Sequence, residues 1–264
     1  MADVYYVTQY GYIYLCNEKR NNEYTLWNGW SSICNNKNLV LEYTNNKFTL
    51  PRNSQVLFSG CTNTWLDLSK VDTSECTIMG TLFLNCENLT SLDLSTWDTS
   101  KVKSFSGMFK GCTALSSLNI PINTSNATNF SGMFSKCNVL KTLDVSSFTF
   151  EALHNDTVLL SGLSNMFSEM NSLSKIIVNP DTDWKLMIDN PLVPGENMFA
   201  NSPNLPNYTD DEVNINRANT ISGYGYFTEK MTKRDLYIKD DSNWINSTIY
   251  LKTADSWEQH EVYY

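Results

Sequence analysis

One recurring phrase limits what this chain can fold into more than any other feature. An aromatic residue, a two-residue gap, a cysteine or its substitute and then leucines at fixed offsets occur in FSGCTNTWLDL from Phe58, FLNCENLTSLDL from Phe83, FKGCTALSSLNI from Phe109, FSKCNVLKTLDV from Phe134 and FSEMNSLSKIIV from Phe167, with a blurred copy, FANSPNLPNY, from Phe199. Successive Phe positions differ by 25, 26, 25, 33 and 32 residues. A period of this length with LxxLxL spacing marks a solenoid, in which each unit buries its apolar edge only by stacking on the next.

A second motif lies between each leucine segment and the next Phe. Asp72 and Asp98 open Asp-Thr-Ser steps and Asn123 an Asn-Thr-Ser step, side chains that accept hydrogen bonds from the free N–H groups at a helix start. Apolar residues then fall three or four apart, as in Val102, Phe105, Phe109 and in Ala127, Phe130, Phe134, one face of a two-turn helix. The Gly-Cys or Lys-Cys step ends that helix, and the alternating LxSLDL carries the chain into a strand of about five residues. The expected class is an α/β repeat: a leucine-rich-repeat-like solenoid with a short strand and a short helix per unit of about 25 residues, flanked by β-rich ends.

The phrase LDLSTWDTSKVKSFSGMFKGCTALSSLNI resembles the BspA-like leucine-rich repeat, also seen as a surface-lipoprotein repeat in mycoplasmas. The resemblance covers residues 56–178 and fades beyond them. It implies a curved solenoid used in adhesion and surface recognition, and no chemistry.

Tyrosine divides the chain into three parts. All 14 lie outside the array: seven between Tyr5 and Tyr43, none from 44 to 207, and seven from Tyr208 to Tyr264. Residues 1–50 are therefore expected to be a β-rich N-terminal cap, 51–208 the solenoid, and 209–264 a C-terminal β-hairpin repeat used for docking. In the cap, alternation at Tyr10, Tyr12 and Tyr14 and the polar NEKRNNE segment predict a hairpin, and Cys34 with NNKNLVL reads as a degenerate first repeat. In the C-terminal part a period of 13 relates Tyr237, Lys239 and Trp244 to Tyr250, Lys252 and Trp257, and Val262-Tyr263 begins a third copy. Each unit reads as strand, polar turn, strand. The Y-x-K-x4-W pattern resembles the small Trp-containing repeats closing many bacteriophage tail and fibre proteins. Tyr237, Trp244, Tyr250, Trp257, Tyr263 and Tyr264 form the candidate assembly segment, aromatic residues of the kind enriched at interfaces.

A net charge of -9 and a pI near 4.7 argue against nucleic acid, whose phosphates need a basic face, and against an anionic membrane surface. The opening MADVYYV has neither a basic nor an apolar signal region, and no apolar run approaches a membrane span. This sets the chain apart from exported cell-surface adhesins and suits a virion protein assembled in a host cytoplasm. Cys61, Cys86, Cys112 and Cys137 share one repeat position, where Met170 and Ser202 stand later, so buried free thiols filling space are expected and not disulfides or metal ligands.

No catalytic, cofactor-binding or metal-binding residues are expected. His154 and His260 belong to no recognised motif, and His154 reads as a solvated loop residue in the insertion EALHNDTV. Asp67, Asp93, Asn119 and Asp144 share the position between the last two apolar strand residues. They are expected to form a row on the exposed sheet face, with in-register neighbours about 4.8 Å apart, and they are the candidate recognition face. The function expected is that of a non-enzymatic bacteriophage virion protein, a fibre or other appendage. Its partners are other virion proteins, a second copy of itself in a homo-oligomer such as a trimer, and a host surface protein or glycan. A BspA-like cell-surface adhesin and an internal scaffolding protein are the alternatives.

Overall fold

The computed structural model describes residues 3–9, 12–19, 25–27, 32–34, 36–43, 47–155, 162–179 and 196–205, and the strands at 227–229, 236–239, 248–252 and 257–260. At the N-terminus β1 (Tyr5–Gln9) and β2 (Tyr12–Cys16) pair antiparallel, Val7 opposite Tyr14. The reversal falls between Gln9 and Tyr12, inside the tyrosine alternation, and not at the polar NEKRNNE segment. Ile13 and Leu15 turn into the core while Tyr12 turns outward. β3 (Thr25–Leu26) adds to the free edge of β1, and β4 (Asn38–Leu41) runs parallel to β2, giving the order β3-β1-β2-β4. β4 belongs to the degenerate repeat and couples the cap to the array. The Asn63 amide accepts from the Leu39 N–H at 2.6 Å and donates to the Leu39 carbonyl at 3.0 Å.

Stacked coils follow. β5 (Phe48–Thr49) lies parallel to β6 (Val71–Asp72), β7 (Ser91–Asp93) to β8 (Ser117–Asn119), and β9 (Thr142–Asp144) to β10 (Lys175–Val178), with α1 (Glu151–Asn155) in the first long insertion. Strands of the leucine segment are three or four residues long. α1 carries His154 on its backbone, so the loop expected there is a helical turn. β11 (Phe227–Glu229) pairs parallel with β10, Ile176 opposite Phe227, so the solenoid sheet takes a strand from beyond residue 208. β12 (Leu236–Lys239), β13 (Thr248–Lys252) and β14 (Trp257–His260) form an antiparallel sheet in chain order.

The helix expected in each repeat is not there. Asp72, Asp98 and Asn123 do accept a backbone N–H through Oδ1, but from the residue two positions on, Ser74, Ser100 and Ser125, at 2.9–3.0 Å. That closes an Asx turn and not a helix cap. The segment leading to the Phe is then a run of overlapping turns. In the coil of Phe83, Leu82, Leu84 and Cys86 donate three residues back, to Met79, Thr81 and Phe83, while Met79, Thr81, Phe83 and Asn85 donate to Ser104, Ser106, Met108 and Lys110 of the next coil. Alternate N–H groups thus serve the turn and the neighbouring coil, which satisfies this backbone without a helix.

This geometry requires φ > 0 two residues before and two residues after each Phe. Val56, Thr81, Gly107, Gly132, Asn165 and Asn197 hold the first position at φ of 53° to 61°, and Gly60, Asn85, Gly111, Lys136, Glu169 and Asn201 hold the second at 55° to 78°. Lys136 gives a test by sign. A helix would make glycine at this exposed site less favourable than alanine by about 1 kcal/mol, whereas at φ 66° alanine keeps the steric cost of about 1–2 kcal/mol and glycine escapes it. Lys136→Gly is expected to melt higher than Lys136→Ala. The order reversed would restore the helix.

Residue columns build the core along the axis. Phe58, Phe83, Phe109, Phe134, Phe167 and Phe199 are all fully buried, with successive ring centroids 5.5, 5.7, 5.7, 5.8 and 5.6 Å apart. Beside them run columns of Leu57, Leu82, Met108, Met133, Met166 and Met198, and of Leu89, Leu115, Leu140, Leu173 and Leu205. Thr73, Thr99 and Thr124, buried among these, donate to the carbonyls of Asp98, Asn123 and Thr149 one coil on, at 2.8, 2.7 and 2.6 Å.

The cysteine column is buried and free, and it does more than fill space. The thiols of Cys86, Cys112 and Cys137 donate to the carbonyls of Phe58, Phe83 and Phe109 in the coil before, at 3.2, 3.2 and 3.3 Å, and Ser202 repeats the bond to Phe167 at 2.7 Å. Serine can therefore replace cysteine there and keep the bond, while Met170, in the same column, fills the place without donating. Burial pushes the Cys137 thiol up to about 12 and the Cys76 thiol up to about 11. Native protein at neutral pH is expected to react with an aromatic disulfide reagent far more slowly than denatured protein, which should titrate all seven thiols. Fast labelling of the native chain would contradict the buried column.

Candidate recognition surface

In β7, β8 and β9 the middle residue turns inward and the residues on either side of it turn outward. Asp93 ends β7 and Asn119 ends β8, directly paired, and the Asn119 amide donates to Asp93 Oδ1 at 2.9 Å. Asp144 ends β9 opposite Ile177. Asp67 holds the matching place in the first coil. The structure therefore brings Asp93 and Asn119 into contact and puts Asp67 and Asp144 at equivalent positions of other coils.

Each carboxylate has a local task. Oδ1 of Asp67, Asp93 and Asp144 accepts the N–H of Ser69, Ser95 and Ser146 at 3.0, 2.9 and 2.9 Å, closing the turn that ends the strand. The Ser69 hydroxyl, and then its N–H, hold the Asp67 carboxyl below the usual carboxylate range. The N–H and hydroxyl of Ser95 do the same for Asp93, and Ser100 does so for Asp98. Among the described residues no group of three or more His, Cys, Asp or Glu is placed to hold a metal ion.

These directions fix the sign of a pH effect. A carboxyl whose folded pKa lies below its unfolded value contributes stability that is present above about pH 4 and lost as pH falls through the folded value. Melting temperature is expected to fall between about pH 5 and pH 2, and Asp98→Asn to flatten part of that fall, since Asn123 closes the same turn without titrating. An unchanged acid limb in Asp98→Asn would remove Asp98 from the effect.

Sequence reasoning missed the residues that shape a groove at the cap. A depression of about 350 Å³ lies where β2 and β4 meet the first coil, among Tyr12, Asn38, Val40, Tyr43, Trp65 and Asp67. Trp65 is 64% exposed and Tyr12 42%. The signal was available in the repeat, because Trp65 stands where later coils carry Ser91, Ser117, Thr142 and Lys175. The Tyr43 hydroxyl donates to the Asp67 carbonyl at 2.7 Å, and the Lys70 ammonium lies 5.8 Å from the Tyr43 ring centre.

In the C-terminal sheet Tyr237 of β12 faces Tyr250 of β13 in register, and Trp257 opens β14 opposite Lys252. Trp244, Tyr263 and Tyr264 lie outside the described residues.

The fold and this surface define a repeat solenoid with an open strand face. Residues 52–179 match the model of a family described as "Mycoplasma protein of unknown function, DUF285". No curated protein matches the chain, and no solved structure does. No helix among the described residues is long and apolar enough to cross a membrane.

Proposed function

We propose that this chain is a non-enzymatic recognition protein, a BspA-like solenoid carried as a fibre or other appendage of a bacteriophage virion, whose strand face and capped end meet a host surface. The observation that carries the reading is the division of labour within each coil. Inward positions are filled by Phe, Leu, Met and Cys columns, and the charged strand residues close turns, so the exposed face with its aromatic N-terminal end is left for contact. Solenoids bind along extended faces of this kind. The virion setting is supported by the 13-residue aromatic repeat, which forms paired strands and so offers edges for joining other virion proteins or a second copy of the chain. A cell-surface adhesin is the second reading, favoured by the family match over residues 52–179, since that family is described from mycoplasmas. Immunogold labelling of phage particles and of uninfected cells separates the two. Gold on particles supports the virion reading, gold on cell envelopes supports the adhesin, and label confined to the cell interior overturns both.

A further inference from the structure

We propose that the groove between the N-terminal cap and the first coil binds a neutral oligosaccharide, stacking sugar rings on Trp65 and Tyr12. The inference deepens the recognition reading by naming a ligand class and a place. Two observations meet there. Trp65 and Tyr12 stand exposed at one end of a solenoid whose phenylalanine column is fully buried. Trp and Tyr join an apolar ring face to a polar rim, the combination that suits the C–H face and hydroxyl edge of a pyranose. The floor between them holds hydrogen-bonding groups at fixed positions. Asn38 accepts from the Thr62 hydroxyl through Oδ1 at 3.0 Å and Asp67 binds Ser69 through Oδ1, with no bond to the Asn38 Nδ2 or the Asp67 Oδ2 among the described residues.

The groove is also held rigid before any ligand arrives. Asn63 clamps both polar groups of Leu39, which locks β4 to the coil carrying Trp65, and Tyr43 is tied to the Asp67 carbonyl. Preorganised walls lower the ordering cost of binding. A volume of about 350 Å³ is at the small end of ligand sites and suits a short glycan segment and not a protein loop.

A quaternary ammonium group is the competing ligand for aromatic residues beside a carboxylate. The structure favours the sugar, because the Lys70 ammonium already lies 5.8 Å from the Tyr43 ring centre and would repel a second cation. Tyr12 and Trp65 also flank an open groove, and the third ring in its lining, Tyr43, is the one the Lys70 ammonium already approaches.

The test uses the full chain with short gluco-, manno-, galacto- and N-acetylglucosamine oligomers, and tetramethylammonium as the cation probe, followed by saturation-transfer NMR and calorimetry. Saturable binding of at least one oligosaccharide is expected, weakened about tenfold or more by Trp65→Ala and by Tyr12→Ala, and largely kept by Trp65→Phe, with the melting temperature nearly unchanged in the Trp65 variants because that side chain is 64% exposed. Binding of no oligosaccharide at millimolar concentration, binding indifferent to both alanine variants, or binding of tetramethylammonium alone would each overturn the proposal. A cell-adhesion arm separates this failure from that of the recognition reading. Attachment that survives both Trp65→Ala and periodate oxidation of the cell surface leaves recognition standing and removes the groove, while sugar binding without attachment does the opposite.

Discussion

Phe109→Ala is expected to cost the protein about 3–5 kcal/mol, the usual range for emptying a buried phenylalanine site. The Phe109 ring lies between Phe83 and Phe134, with both centroids 5.7 Å away and interplanar angles of 5° and 10°. Its removal takes stacking partners from two coils at once and leaves a gap in the column. Phe199 stacks on Phe167 at 5.6 Å near the far end of the ring column. In an array where each coil is stabilised by its neighbours, a central break costs more than a terminal one. Thermal melting should therefore fall by roughly 10 °C for Phe109→Ala, and by clearly less for Phe199→Ala. Equal effects would mean that the column is not a continuous stack.

Gly111→Ala is the second large effect, expected at about 2 kcal/mol or more from backbone strain and crowding together. Gly111 sits at φ 78°, and a Cβ there would lie 2.2 Å from the Asn85 side-chain oxygen and 3.4 Å from the Asn85 Cα. The Asn85 side chain must rotate away to admit it. Gly60→Ala supplies the control, since Gly60 has φ 70° but its nearest atom to an added Cβ is 3.8 Å away. That variant bears only the left-handed backbone cost, about 1–2 kcal/mol. Chemical denaturation of the two proteins should rank Gly111→Ala as the weaker fold. A Gly111→Ala protein as stable as wild type would show that the coils can slide apart without loss.

Much of this architecture was legible in the residues, for a physical reason that individual positions make plain. The recurrence of Phe58, Phe83, Phe109, Phe134, Phe167 and Phe199 fixed the coil boundaries, because a side chain that must be buried on identical neighbours can change least. Tyrosine alternation marks the hairpin of the cap, but its reversal lies between Gln9 and Tyr12, one segment before the polar NEKRNNE stretch that suits a turn. Val102, Phe105 and Phe109 have a spacing that suits a helix face and equally suits three inward residues on a run of tight turns, which is what the coils form. The contrary signal was Gly107 and Gly111 flanking Phe109, and Asn85, Asn165, Asn197 and Asn201 at the matching places of other coils. Glycine and asparagine gathered two residues either side of a repeated aromatic ask for φ > 0.

Sequence alone determined the period, the identity of the buried columns and the absence of a recognisable catalytic motif, because each follows from residue type and spacing along one chain. Tertiary stacking decided the rest. Whether Met79, Thr81, Phe83 and Asn85 bond within a helix or to the coil beyond depends on a neighbour 25 residues away, which no local window contains. The cysteine column acquired its hydrogen bonds to Phe carbonyls only when one coil was laid on another. The groove at Trp65 likewise exists only where β4 is clamped against the first coil, bringing Tyr12 and Trp65 to one surface from positions far apart in the chain.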